Sequence, residues 1–109
     1  MDNPFELIVA IVNAGFSQAV MDAARKVGAT GGTVLRGHGT ANPEAESFFG
    51  IHIEPEKEIV LIVSKSATKD LILRGIYQEC GLATAGQGIA FTLPIEHTAG
   101  LTGSKPNEA

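Results

Sequence analysis

Two segments of this chain are apolar on both faces of a strand. In residues 5–12, FELIVAIV, Leu7, Val9 and Ile11 alternate with Ile8, Ala10 and Val12. In residues 58–63, EIVLIV, Ile59, Leu61 and Val63 alternate with Val60 and Ile62. Successive side chains of a strand point to opposite faces of its sheet. A sheet with one wet face carries polar residues at alternate positions, and these segments do not. Both faces therefore need a cover. Helices of the same chain can supply one. The other must come from elsewhere, because a large exposed apolar face marks an interaction surface. The economical cover is self-association, sheet face to sheet face.

The remaining sequence supplies two helices and two further strands. Asn13, Ala14 and Gly15 turn the chain out of the first strand, and Ser17 is placed to cap a helix running to about Val27. Phe16, Val20, Ala24 and Val27 share one face of it. Gly28, Gly31 and Gly32 end that helix, and a strand follows around 33–36. A second helix is expected from a Ser66 cap to about Cys80, with Leu71, Ile72, Gly75 and Ile76 toward the core and Gly81 as its C-cap. Residues 89–93 form the fourth strand, closed by Pro94. The order β-α-β-β-α-β predicts an α+β, ferredoxin-like sandwich with an antiparallel sheet and two helices on one face. With 109 residues there is room for one domain. It is expected over 1–96, with a long loop at 37–56 and a disordered tail at 97–109. Loops of that length are usually functional or disordered, and residues 40–55 are expected to move when no ligand or partner holds them.

Several function classes are excluded. A net charge of −4 argues against nucleic-acid or anionic-membrane partners. The single Cys80 cannot form an internal disulfide, and there is no CxxC zinc signature; Cys80 is expected in the core. FELIVAIV is too short to span a bilayer and is not preceded by a basic segment. A cytoplasmic protein without membrane insertion is expected. His38, His52 and His97 show neither i, i+4 spacing nor an HExxH pattern, so no metal site is expected. There is no GxSxG, and GATGGTV lacks the lysine of a P-loop. Acylphosphatases share the βαββαβ plan but need an arginine after the first strand, and NAGFSQ has none. No catalytic residue and no enzyme activity are expected.

Anion binding has better support. Arg36-Gly37-His38-Gly39 and Gly86-Gln87-Gly88 are glycine-rich and adjoin strands. Glycine lets the backbone approach a ligand closely, and consecutive N–H groups form nests for phosphate oxygens. Arg36 and Lys57 add positive charge on either side of the long loop.

These features resemble the PII nitrogen-regulator superfamily, most of all its PII-like signalling branch. The carriers are VGATGGTV (27–34), GHG (37–39), EPEKEIVLIV (54–63) and AGQGIAFTLPIE (85–96). The resemblance spans residues 5–95. It implies a homotrimer with sheets lining the centre, and adenine-nucleotide sites in the clefts between subunits. Ala85, Gly86, Gln87, Gly88 and Ile89 would form one wall; Arg36, Gly37, His38 and Gly39 would form the other. Thr33 matches the family's threonine near the adenine, and Val63 its strand-end residue. The ligand would be AMP or ADP, and ATP within reach; no other cofactor is implied. The long loop would be the family's T-loop, with Pro43, Phe48 and Phe49 as contacts to a regulated transporter or metabolic enzyme.

The chain departs from the family pattern in four places. Phe48 and Phe49 stand where other members carry a uridylylated tyrosine. Ile89 replaces the lysine after the second phosphate-loop glycine. Thr40-Ala41 replaces the Arg-Gln after GxG, and the C-terminal arginine pair is absent. A CutA-like, metal-handling trimer on the same fold is the alternative, and a trimer serving only as an interaction module is a third reading.

Overall fold

The computed structural model describes residues 4–40, 56–83 and 87–101. Pro43, Phe48, Phe49, Ala85 and Gly86, and the tail from 102 onward, lie outside them. The chain runs β1 (Phe5–Asn13), α1 (Ser17–Arg25), β2 (Thr33–His38), β3 (Glu56–Lys65), α2 (Lys69–Glu79) and β4 (Gly88–Pro94). The strands form one antiparallel sheet in the order β2-β3-β1-β4. This is the expected ferredoxin-like plan.

The helices cover one face. Ile8, Ala10 and Val12 of β1 and Val60 and Ile62 of β3 meet Val20, Ala24, Ile72 and Ile76 in a core from which water is excluded. Burying each large aliphatic side chain contributes about 1.5–3 kcal/mol. The Cys80 thiol joins this core, and burial raises its pKa. Both helices end in a left-handed glycine. Gly28 N–H bonds Arg25 C=O while Ala29 N–H reaches back to Ala24 C=O. After α2, Gly81 has φ +72° and Leu82 N–H returns to Tyr77 C=O.

The N-termini differ from expectation. Ser17 is the first helical residue rather than the cap; Phe16 holds the cap position and its side chain makes no capping bond. The free N–H groups there are served by Glu58 instead. Ser66 opens a short 3-10 turn over Ser66–Thr68, and α2 begins after Thr68. Leu71 was expected toward the core and is 49% exposed; Phe16, expected to share a face with Val20, Ala24 and Val27, is 44% exposed while Val20 and Ala24 are buried. Ile72, next to Leu71, is fully buried, so the core face of α2 is centred on Ile72 and Ile76 and Leu71 falls to its side. Phe16 stands at the cap position before α1.

Among the described residues, no element covers the second sheet face. Register sets its rows: Leu93–Leu7–Val63, then Phe91–Val9–Leu61–Thr33, then Ile89–Ile11–Ile59–Leu35. Leu35, Val63, Ile89, Phe91 and Leu93 are all exposed. The two-sided pattern of the sequence is thus an apolar surface crossing all four strands.

Candidate functional site

The stem of the long loop is built by β2 and β3. Their register pairs Arg36 with Glu58, Gly37 with Lys57 and His38 with Glu56. Alternation puts Arg36, His38, Glu56 and Glu58 on the helix side of the sheet. Together with Gly37, Lys57 and Ala14 they line a cleft of about 250 Å³. Three consecutive residues of β3 fasten this stem to the turn before α1. Glu56 C=O accepts from Ala14 N–H at 3.1 Å. Lys57 Nζ donates to Asn13 Oδ1. Glu58 Oε1 accepts from Gly15 N–H at 2.7 Å and from Ser17 N–H at 3.2 Å. A carboxylate at the first turn also meets the positive end of the helix dipole.

These bonds tune Glu58. The Gly15 N–H, then the Ser17 N–H, hold its carboxyl below the ordinary glutamate pKa, with a smaller contribution from the Arg36 guanidinium; burial opposes them. The side chain therefore stays ionised and held at neutral pH. Sequence reasoning took residues 13–15 only as a turn and passed over Glu58. The signal was available: in Glu56-Lys57-Glu58, period-two spacing puts both carboxylates on one face, beside Arg36.

The second glycine-rich stretch lies elsewhere. Gln87 is in the bend before β4, and Gly88 opens that strand. Gly88 and Ile89 line a groove of about 500 Å³ between α2 and β4, with Arg74, Tyr77 and Leu82. A Cβ on Gly88 would lie 2.6 Å from the Ile11 carbonyl oxygen. Packing alone therefore demands glycine there.

Thr33 and Val63 come together on the open face, as diagonal neighbours in the β2–β3 ladder. Thr33 is three residues from Arg36, about 10 Å along the strand. Gly88 and Arg36 do not come together. They share one cross-sheet row, Gly88–Val12–Glu58–Arg36, but sit on opposite edge strands. Three strand spacings, roughly 14 Å, separate them.

Among the described residues, no group of three or more His, Cys, Asp or Glu is placed to hold a metal ion. No described helix is long and apolar enough to cross a membrane.

No family model and no curated protein matches this chain. Among solved structures it is similar to the PII protein of Arabidopsis thaliana bound to citrate, with a TM-score of 0.74 and 25% identity over 98% of this chain and 92% of that one. The fold and the resemblance to the PII superfamily are shown together by that match.

Proposed function

We propose, from a chain whose fold is that of the PII superfamily, a trimeric signalling protein that binds an adenine nucleotide between its subunits. One observation carries this reading: Arg36, Gly37 and His38 on β2 and Gly88 on β4 lie on opposite edge strands of a single sheet. One copy cannot close them on a ligand of nucleotide size. Two copies side by side can, with the β4 edge of one against the β2 edge of the next. Packing three sheets around a centre would also cover the apolar face. The adenine then lies near Thr33 and Val63. The phosphates run along the β2 edge toward Arg36, Gly37 and His38, facing Gly88 and Ile89 of the adjacent copy. The long loop carries the output to a regulated transporter or metabolic enzyme.

The charges of the stem favour a short phosphate chain. Lys57 is already bonded to Asn13, and Arg36 faces Glu58 across the ladder. Burying a triphosphate requires paired charges and hydrogen bonds, and each missing charge-assisted contact costs roughly 1.5–3 kcal/mol. AMP or ADP should bind at least as tightly as ATP. Calorimetric titration with all three tests this. ATP binding tenfold tighter than both others would overturn the ordering, and no binding by any would overturn the reading. Removing residues 41–50 should abolish partner binding while leaving nucleotide affinity intact.

A further inference from the structure

We infer that Glu58, seconded by Glu56, is a specificity residue that limits the phosphate charge the stem cleft accepts. The inference rests on the nucleotide reading above and concerns the selectivity of that same site. Both glutamates line the cleft with Arg36, His38 and Lys57. Formal charges there balance: Arg36 and Lys57 against Glu56 and Glu58. An incoming polyanion therefore gains no net attraction from the sum of these side-chain charges.

Nor can Glu58 easily step aside. One of its oxygens holds two backbone donors, from Gly15 and Ser17. Moving the carboxylate away would strip both N–H groups of their acceptor, which costs free energy wherever water cannot replace it. The negative charge is thus fixed where further phosphates would extend. A monophosphate reaching the β2 edge feels it weakly, and each added phosphate charge feels it more. Glu56 bonds the turn through its backbone carbonyl, so its carboxylate can be neutralised without touching that bond.

The test compares AMP and ATP affinities by calorimetry, without magnesium, for the wild type, Glu58→Gln and Glu56→Gln. Neutralising either carboxylate should raise the affinity for ATP relative to AMP by roughly three- to tenfold, the scale of two extra charges at a partly solvated distance of several ångströms. A purely structural role would weaken both nucleotides alike and leave their ratio unchanged. An unchanged ratio in both variants, with AMP still bound, overturns the inference and leaves the nucleotide reading standing. If Glu58→Gln does not fold, Glu56→Gln decides the question alone. Failure of the wild type to bind any nucleotide overturns both.

Discussion

Glu58 and Gly15, 43 residues apart in the chain, are joined by a 2.7 Å hydrogen bond from the Gly15 N–H to the carboxylate. The return strand of the long loop is thereby tied to the first turn of α1. A helix N-terminus whose donors are served by a distant strand is stabilised only when that strand is in register, so the bond reports the assembled fold rather than a local preference.

The bond makes stability depend on pH with a definite sign. Its donors hold the Glu58 pKa below the ordinary value of 4.5. A lowered folded-state pKa contributes stability that is complete above the ordinary value and lost as pH falls through the folded one. Glu58→Gln should melt at a lower temperature than the wild type at about pH 6, and the difference should shrink toward about pH 3. Thermal melts of both proteins across that range check it; a gap that widens on acidification would contradict the assignment.

The open sheet face gives a prediction that separates folding from assembly. Phe91 lies on that face and is 38% exposed. Phe91→Asp should leave the monomer folded and prevent the proposed trimer, because the charge would meet water in one copy and an apolar neighbour in such an assembly. Val9, in the same row between Phe91 and Leu61, is only 8% exposed, and Val9→Asp should damage folding as well. Light scattering read beside circular dichroism distinguishes the two. A wild type that scatters as a monomer at micromolar concentration would remove the premise.

The sheet was legible in the sequence because hydrophobic period and turn glycines agreed along the whole domain. The two-sided strands, the C-terminal glycine after α2 and the buried Cys80 all follow from local chemistry. What the sequence hid were relationships set by register. Ser17 and Ser66 carry the residue type of an N-cap, yet Glu58 serves the first helix and a 3-10 turn precedes the second. The glycine-rich pattern singled out 36–39, and Arg36, Gly37 and His38 do line the cleft at the loop stem. That Arg36 stands against Glu58, while Gly88 lies on the far edge, depends on strand pairing between residues far apart in sequence, which no local pattern encodes.

Helix α2 offers a contrast between adjacent residues. Leu71 and Ile72 both fit the expected core face, but Ile72 and Ile76 are fully buried while Leu71 is half exposed. Ile76→Ala should cost about 2–5 kcal/mol through lost burial and the cavity left behind. Leu71→Ala should change stability by less than about 0.5 kcal/mol. Urea denaturation of the two variants decides it, and equal losses would mean that the helix is rotated from the orientation described.

Gly88 tests how tightly β4 is locked to β1. Its φ is +155°, and an added Cβ would lie 2.6 Å from the Ile11 carbonyl oxygen and 3.1 Å from Leu82 and Val12 side-chain carbons. The carbonyl belongs to a central strand held on both sides, so it cannot retreat without disturbing two ladders. Gly88→Ala should therefore cost about 1–3 kcal/mol from backbone conformation and crowding. Gly31 is the control. A Cβ there meets nothing within 4 Å, and Gly31→Ala should be neutral or stabilise by up to about 1 kcal/mol through the unfolded chain. Chemical denaturation midpoints read both effects. If Gly88→Ala matched the wild type, β4 would have to begin further along the chain, and Gly88 would be free to serve a ligand rather than the sheet.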